Sequence, residues 1–273
     1  PIRLAVDDFN NDSIADIVLV NFNQGEIGIL LGDGKGHFED LKIHSTGSSS
    51  GPFWTATGDL NQDGWIDIAV ANQGSKNIGI FFGQGNGTFS SQKTFLMSSE
   101  TYLTSISIDD LNDDGLLDIA FPDWGHSIAN ISVLFGYGYG QFATLKTYPI
   151  GTYLYPSHFV MCDFDNDNKT DLVAVSYNTA DVITLLRRGS TPFATPIKFS
   201  TGHGSSPRSV AVGDFNHDNR LDIAVANYGT NNIGILLGNG DGTFGQQAVY
   251  STGSDSNPNF IISYDFNSLN NKS

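Results

Sequence analysis

The chain contains five copies of one acidic nine-residue segment, at residues 8–16, 59–67, 110–118, 163–171 and 214–222. Successive copies start 51, 51, 53 and 51 residues apart. A fixed period of this length is typical of stacked, near-identical units, none of which can bury its apolar face alone. The period therefore predicts a repeat protein rather than one irregular core.

The repeat boundaries follow from a residue that stands at the same point of each unit: Pro1, Pro52, Leu103, Pro156, Pro207 and Pro258. We expect a single domain, residues 1–273, because repeat proteins of this size are commonly one domain. It divides into five complete repeats and the first strand of a sixth: 1–51, 52–102, 103–155, 156–206, 207–257 and the partial 258–273.

Four strands can be read in each repeat, and the fifth repeat illustrates them. Residues 209–212 alternate in polarity, 222–227 and 232–237 are nearly continuous apolar runs, and 244–251 is a more polar final strand. No window keeps a helical period. The pattern predicts an all-β fold, a β-propeller of four-stranded blades. A β-solenoid is the alternative, although its coils usually need fewer residues.

Glycine recurs in two contexts. In the third strand, at Gly28, Gly79 and Gly234, it predicts a neighbouring sheet packed closely against the backbone. Before the fourth strand, a Gly-x-Gly-x-Gly-x-Phe segment occurs at 32–38, 83–89, 136–142 and 238–244. We expect positive φ at these glycines and an anchoring role for the phenylalanine. A dinucleotide-binding loop is not expected because a strand, not a helix, follows.

The acidic segments have the spacing of a loop that wraps a hard cation. Side-chain oxygens stand at positions 1, 3, 5 and 9, a turn-tolerant residue at position 6, and position 7 can offer a backbone carbonyl. All-oxygen ligands of this kind favour Ca²⁺ over zinc or copper. We therefore predict about five calcium ions, one per complete repeat. The predicted ligands are Asp8, Asn10, Asp12, Ile14, Asp16, Asp59, Asn61, Asp63, Trp65, Asp67, Asp110, Asn112, Asp114, Leu116, Asp118, Asp163, Asp165, Asp167, Lys169, Asp171, Asp214, Asn216, Asp218, Arg220 and Asp222.

Charge supports this interpretation. The net charge is −16, and the ligand positions contain 16 of the 29 acidic residues. Two carboxylates about 5 Å apart at an effective dielectric near 20 repel by roughly 3 kcal/mol, so a metal-free loop is costly. Aspartate and asparagine also cap turns, which is the alternative for one loop alone, but five in register favour a cation. An EF-hand is excluded because position 12 is apolar in every copy. The acidic surface makes nucleic acid an unexpected partner.

The acidic loop, the strand of Asp-Ile-Ala-Val-Ala-Asn type and the glycine turn together resemble FG-GAP/VCBS repeats, as in the β-propeller of α-integrins. The resemblance covers the whole chain. It implies calcium between the first two strands of each blade and an extracellular role in adhesion or ligand recognition. The sixth loop, at 265–267, lacks acids at positions 5 and 9, so we expect no site there.

Propeller connectivity predicts that the calcium loops lie at one end of the sheets and that variable loops lie at the other. Aromatic and basic residues concentrate in those variable loops, including the two extra residues of the third repeat near 124–126. They suit a protein or glycan ligand, although some rings are expected to pack between blades. They are Phe22, Trp54, Tyr102, Trp124, His126, Tyr153, Tyr155, Tyr177, Arg208 and Tyr228.

Two other functions remain as alternatives. The surplus strand at 259–264 predicts either further blades or self-assembly into a larger ring or filament by strand addition. A non-catalytic accessory propeller of a secreted carbohydrate-active enzyme is the second. An enzyme is not expected because the six histidines occupy non-equivalent positions and no Gly-x-Ser-x-Gly motif occurs. No apolar stretch is long enough for a membrane span. Sequons at Asn86, Asn130 and Asn271 allow glycosylation.

Overall fold

The computed structural model describes residues 3–98, 101–124, 127–188 and 193–264. These residues form five four-stranded antiparallel sheets and contain no α-helix. They divide into two compact units, Pro1–Tyr153 and Leu154–Ser273. The prediction of an all-β chain with four strands per complete repeat is confirmed.

The first unit contains three sheets, each with its strands in chain order. The first sheet is β1 (Arg3–Asp7), β2 (Asp16–Asn21), β3 (Glu26–Leu30) and β4 (Lys42–Ser45). The second is β5 (Pro52–Gly58), β6 (Asp67–Asn72), β7 (Asn77–Phe81) and β8 (Lys93–Leu96). The third is β9 (Ser107–Asp109), β10 (Asp118–Asp123), β11 (Ile128–Leu134) and β12 (Lys146–Thr152).

The second unit contains the remaining two sheets. The fourth sheet is β13 (Pro156–Cys162), β14 (Asp171–Ser176), β15 (Asp181–Leu185) and β16 (Ile197–Ser200). The fifth is β17 (Pro207–Gly213), β18 (Asp222–Asn227), β19 (Asn232–Leu236) and β20 (Ala248–Ser251). A 3-10 turn, Tyr228–Thr230, precedes β19.

Within each unit the core lies between facing sheets. Alternate residues of one strand enter two different cores: in β6, Ile68 and Val70 pack against the first sheet, whereas Ala69 and Ala71 pack towards the third. A strand buried on both faces needs no polar alternation, which explains the continuous apolar runs. In the second unit, one core joins residues of the fourth and fifth sheets.

The third-strand glycines are closely packed as expected, but the atoms packed against them are not those of a neighbouring sheet. A Cβ at Gly79 would overlap the Gln92 side chain and approach Asn72 Nδ2 to 2.9 Å, and one at Gly28 would approach Leu41 Cδ1 to 2.8 Å. The close neighbours therefore belong to the same repeat rather than to another sheet. In the fifth repeat Gln247 lies over Gly234 in the same way.

Strand β20 begins at Ala248, four residues later than the sequence predicts, and Phe244 makes only an isolated bridge with Gly238.

The third and sixth repeats depart from the pattern. Asp123 pairs with Asn130, whereas Asn72 pairs with Asn77, so the two extra residues lie in the turn between β10 and β11. Residues 259–264 form no ladder with another described strand.

His126, Asn271 and the sixth loop at 265–267 lie outside the described residues. In the part of the chain that the structure describes, no helix has the length and hydropathy needed to cross a membrane.

Candidate metal centre

Every acidic loop bends at two left-handed residues. In the first loop these are Asn11 and Ser13, with φ of 60° and 65°. The same two positions have positive φ in the other loops, at Gln62, Gly64, Asp113, Gly115, Asn166, Asn168, His217 and Asn219. The bend at position 6 agrees with the sequence prediction, but the bend at position 4 was missed. Its signal is the recurrent Asn or Asp, which tolerate this conformation.

The aspartate at position 1 points into the bend. Asp8 Oδ1 accepts the N–H of Asp12 at 3.1 Å, and its Oδ2 accepts the N–H of Ser13 at 2.7 Å. The same pair of bonds recurs at Asp59, Asp110, Asp163 and Asp214. Asp110 Oδ1 also accepts the N–H of Asn112 at 3.2 Å. A carboxylate oxygen that accepts one of these bonds keeps a lone pair for another donor or a cation.

The side chains at positions 3 and 5 are hydrogen-bonded to each other in four of the loops. Asn10 Nδ2 donates to Asp12 Oδ2 at 2.9 Å, and Asp12 Oδ1 accepts the N–H of Ile14 at 2.8 Å. Equivalent side-chain pairs are Asn61–Asp63, Asn112–Asp114 and Asn216–Asp218. The N–H groups of Trp65, Leu116, Lys169 and Arg220 correspond to that of Ile14. Turn capping therefore explains part of the acid content, and a cation in these loops would have only the lone pairs that these hydrogen bonds do not use.

The aspartate at position 9 is buried in every repeat and joins two turns at the same end of the sheet. Asp67 Oδ2 accepts the N–H of Leu60 at 2.9 Å, and its Oδ1 accepts the N–H of Gly83 at 2.8 Å. The same bonds are made by Asp16, Asp118, Asp171 and Asp222. Position 9 thus links the acidic loop to the start of the glycine turn.

Burial makes this carboxylate sensitive to nearby positive charge. Burial, followed by repulsion from the other loop acids, raises the pKa of Asp67 and of Asp118 to about 7 and that of Asp171 to about 6, while the N–H bonds act in the opposite direction. A cation beside the group favours its ionised form.

The first position of the turn requires glycine because a side chain there would clash with the backbone, and not because its φ is positive. A Cβ at Gly83 would overlap the carbonyl oxygen of Ile66, the residue before Asp67, and Gly32, Gly136 and Gly238 are in the same position. Positive φ is confined to the second and third glycines, such as Gly85 and Gly87. The prediction of positive φ is therefore wrong for the first glycine and correct for the other two.

The fourth repeat brings three carboxylates together. Ligand oxygens of Asp163, Asp165 and Asp171 lie within 4.8 Å of one another. The Asp165 side chain is only 10% exposed, and among the described residues its Oδ1 has no hydrogen-bond partner. Burial and repulsion from Asp167 raise the pKa of Asp165. This donor set fits a hard divalent cation, which would satisfy the buried oxygen and neutralise the repulsion.

Basic side chains approach two of the loops. Lys169 Nζ lies 3.0 Å from Asp167 Oδ2, and Arg220 lies 2.5 Å from Asp218 Oδ2, so position 5 is paired with position 7 in the fourth and fifth repeats. Arg188 lies 3.7 Å from Asp165 Oδ2. Of the predicted position-5 ligands, Asp167 is not among the three carboxylates that the fourth loop brings together.

Comparison with models of protein families identifies the family of this chain. An FG-GAP-like repeat matches residues 8–70, 59–121, 163–225 and 214–268, which together cover most of the chain. The chain belongs to the FG-GAP-like repeat family. Each match begins at position 1 of an acidic loop, and no match begins at the third loop, whose repeat contains the two-residue insertion.

Solved structures resemble this FG-GAP repeat chain in fold. A lectin from Agrocybe aegerita, described as recognising non-reducing terminal N-acetylglucosamine, is 19% identical with a TM-score of 0.64, covering 93% of this chain and 67% of its own. A streptogramin B lyase is 17% identical (TM-score 0.64; 94% and 71%). Virginiamycin B lyase from Staphylococcus aureus is 14% identical (TM-score 0.63; 94% and 73%). This likeness shows a propeller-like fold alone. No curated protein sequence matches the chain.

The opposite end of the FG-GAP sheets carries aromatic and cationic clusters. In the first unit, Tyr102 and Trp124 stack with ring centroids 4.8 Å apart, and Lys76 Nζ lies 4.1 Å from the Tyr102 ring. In the second unit, Arg208 lies 4.0 Å from the Tyr228 ring and 5.1 Å from the Tyr177 ring. The structure thus brings several of the predicted ligand-face residues together within each unit.

The remaining ligand-face residues differ in exposure. Trp54 is half-buried beneath Arg3, whose guanidinium lies 4.8 Å from its ring, and this ring therefore contributes to packing. Phe22, Tyr153 and Tyr155 are exposed.

Proposed function

We propose that this FG-GAP repeat chain is an extracellular, calcium-loaded β-propeller module that recognises a ligand without transforming it. The observation that supports calcium most directly is the buried Asp165 oxygen. It has no hydrogen-bond partner among the described residues and lies beside the carboxylates of Asp163 and Asp171. Such a group is costly unless a cation or another donor satisfies it.

The other four loops support the same function by their shared geometry. Each presents position 1 and position 9 carboxylates whose backbone bonds leave lone pairs free, with an Asn at position 3. The residues that would hold the ions are those at positions 1, 3, 5 and 9, with the carbonyl of position 7. When bound, calcium would supply the positive charge that the clustered carboxylates lack. At a free concentration a hundredfold above Kd, each ion would add about 2.7 kcal/mol to the stability.

Ligand recognition is assigned to the opposite end of the sheets. The clusters around Tyr102 and Trp124 and around Arg208 combine aromatic faces with positive charge, a composition enriched where proteins bind ligands. We take the ligand to be a protein or a glycan, and the fold likeness to a lectin makes glycans the first to be screened. Millimolar calcium outside cells would keep loops of moderate affinity filled.

The calcium proposal is tested by counting ions. Calorimetric titration and native mass spectrometry of the chelated protein should give about five calcium ions. Replacing Asp163 by Asn should remove or strongly weaken one of them, because position 1 loses its charge. The matched control is Asp33→Asn, since Asp33 lies in a glycine turn and its side chain bonds, among the described residues, to the backbone of Lys35 and to His37. A protein that takes up no calcium at millimolar concentration contradicts the proposal.

The ligand proposal is tested at the other end. Tyr102→Ala and Tyr177→Ala should each weaken retention on a glycan array or a panel of extracellular proteins by at least about tenfold, as expected for aromatic anchors. Tyr139→Ala is the control, because Tyr139 is also highly exposed but lies in the glycine turn at the calcium end. Equal binding by all three variants would remove this surface from consideration.

Two of the structural neighbours are lyases, so binding without turnover needs its own measurement. Incubation with a polysaccharide panel should give retention and no new reducing ends. Turnover would instead indicate an enzyme. Retention of polysaccharide alone would agree with an accessory module of a carbohydrate-active enzyme.

A further inference from the structure

One turn of the second sheet carries a sequon that neither the metal centre nor the ligand face uses. The sequon Asn86-Gly87-Thr88 lies in the glycine turn before β8, and Asn86 and Thr88 are both exposed. Its repeat packs against the first repeat in one core and against the third repeat in another. Gly87 also donates its N–H to Phe9 O at 3.0 Å. Asn86 is therefore exposed although its repeat has a packed neighbour on each side.

The side chains of Asn86 and Thr88 close this turn through a single oxygen. Asn86 Oδ1 accepts the N–H of Thr88 at 3.0 Å, and Thr88 Oγ1 lies 2.5 Å from the same oxygen. In the fifth repeat Asp241 Oδ1 makes the same two contacts with Thr243, at 2.9 Å and 2.5 Å. The turn therefore uses an oxygen at this point and does not require an amide. Among the described residues, Asn86 Nδ2 makes no hydrogen bond, so this nitrogen is available for modification.

The equivalent position in other turns shows that a large group fits there. Tyr139 occupies it in the third repeat and is 90% exposed. Lys35 and Asp241 occupy it in the first and fifth repeats, and both are exposed. An asparagine-linked oligosaccharide is bulky and hydrophilic and needs such a surface position. A sugar on Asn86 Nδ2 would extend into solvent and leave both contacts of Oδ1 intact.

The sequon at residues 130–132 has a different environment. Asn130 is half-buried within β11, which pairs with β10 on one side and with β12 on the other. Its Nδ2 donates to Ile128 O at 3.3 Å, and Ser132 is fully buried. A sugar at Asn130 would attach to the atom that makes this bond, inside a sheet with strands on both sides.

Two further sequons begin inside acidic loops, at Asn11 and Asn168. These residues have φ of 60° and 61° and form the left-handed bends of their loops. Asparagine tolerates this conformation better than most residues, so the bend itself explains its presence. Asn86 does not have positive φ, and the turn would also close with aspartate, so neither reason applies to it.

We propose that Asn86 is an N-glycosylation site and that Asn130 is not. The donor is a lipid-linked oligosaccharide diphosphate. A bond forms between Asn86 Nδ2 and the first sugar carbon, and the bond from that carbon to the diphosphate breaks. The lipid diphosphate leaves with the electron pair, and one Nδ2 proton passes to a base of the transferase.

This inference rests on the extracellular location in the proposed function, because eukaryotic cells carry out this transfer on chains that enter the secretory route. A glycan on the turn would lie at the end of the second sheet that carries its acidic loop. The cluster of Tyr102 and Trp124, at the opposite end, would remain uncovered.

The test expresses the full chain with an added secretory leader in cultured eukaryotic cells. Intact mass before and after treatment with peptide N-glycosidase measures the glycan. Enzymatic release in water labelled with heavy oxygen converts the modified asparagine to labelled aspartate, which peptide mapping locates. An untreated sample is the reference, because an asparagine followed by glycine also deamidates spontaneously. The mapping covers both the secreted chain and the chain retained in the cells.

The variants follow from the geometry of the turn. Asn86→Asp should abolish the glycan and remain folded, because the fifth repeat closes the same turn with Asp241. Thr88→Ser should keep the glycan, since a hydroxyl remains at the third position of the sequon. The matched control is Ser132→Ala, which removes the other sequon and a buried hydroxyl that has no hydrogen-bond partner among the described residues. It should leave the glycan mass unchanged, and circular dichroism confirms the fold of each variant.

Unmodified Asn86 in both the secreted and the retained chain would overturn the proposal, and so would a glycan mapped to Asn130. The readout does not depend on calcium or on a ligand. A chain that carries the glycan at Asn86 but takes up no calcium would support this inference and contradict the calcium proposal.

Discussion

At the scale of single residues, Asp165 is the most unusual member of the acidic loops. It stands where the other four repeats have Asn, and so it cannot donate to the aspartate at position 5 as Asn61 donates to Asp63. Its carboxylate is buried close to the like charges of Asp163 and Asp167, and Arg188 lies 3.7 Å from it. The residue is therefore unfavourable without a metal and favourable with one.

Replacing Asp165 by Asn should consequently have opposite effects in the two states. Without metal, the variant should be more stable by roughly 1 kcal/mol, because repulsion is removed and a donor to Asp167 is restored. The calcium affinity of the fourth loop should fall about tenfold, because one charged ligand becomes neutral. Melting curves in chelator and in calcium test both effects. Destabilisation in chelator would contradict this account.

The buried carboxyls at position 9 predict a dependence on pH that calcium should alter. The pKa of Asp67 and of Asp118 rises from 3.8 to about 7 on folding of the metal-free chain. Between these values the folded state keeps protons that the unfolded state has released. The metal-free protein should therefore lose stability as pH rises from about 4 to about 7. In calcium these groups ionise in the folded state, so the loss should be reduced or reversed.

The measurement is the melting temperature across this pH window, in chelator and in millimolar calcium. Asp218 does not contribute to this slope, because its pKa is lowered and the stability that it adds is lost only as pH falls below about 3.8. Parallel curves in the two media would contradict the assignment of these carboxyls to metal sites.

At the scale of elements, hydrogen bonds to the position 9 aspartate join the acidic loop and the glycine turn of each repeat. The N–H of Gly83 donates to Asp67, and the turn passes so close to the carbonyl of Ile66 that a Cβ at Gly83 would overlap it. The fourth repeat has Arg187 at this point and still donates to Asp171 at 2.7 Å. In sequence, its turn keeps Gly189 at the second glycine position and has Thr191 at the third.

Gly83→Ala should therefore destabilise the protein by roughly 1–3 kcal/mol, as overpacking against fixed backbone does. It should also weaken calcium binding in the second repeat. Gly245→Ala is the control, because a Cβ there would have only Leu237 O within 4 Å, at 3.6 Å. Thermal melts and calcium titrations of both variants give the comparison. Equal stability of the two variants would show that the turn can move away from Ile66.

At the scale of the whole molecule, charge is the dominant feature. The net charge of −16 is concentrated in loops at one end of the sheets, and the buried member of each set joins the loop to the glycine turn. Five divalent cations would leave a net charge of about −6, within the usual range for a soluble domain.

Removal of calcium should lower the melting temperature by at least about 10 °C. At a hundredfold excess over Kd each filled loop would contribute about 2.7 kcal/mol, and 1 kcal/mol corresponds to roughly 2–4 °C in chains of about 150–250 residues. Differential scanning calorimetry with and without chelator measures the effect. Magnesium at equal concentration is the control, because it demands a smaller octahedral site and should restore less stability. An unchanged melting temperature would show that calcium binding in the loops does not stabilise the fold.

The sequence by itself determined the features that depend on local chemistry. The repeat length, the strand order within a repeat and the bend at position 6 follow from turn residues and apolar runs, and each was predicted. The bend at position 4 had a local signal too, in Asn11 and Asn166, but Asn and Asp also serve as ligands and caps, so its meaning was ambiguous.

Only the tertiary structure decided what depends on neighbours distant in sequence. Three examples are the reason for the glycine at position 83, the lack of a described hydrogen-bond partner for Asp165 Oδ1 and the exposure of Phe215. Phe164 and Phe215 are the same residue at the same point of the repeat, yet one is buried and the other is exposed. Burial depends on whether a facing sheet is present, and no local pattern in a repeating sequence contains that information.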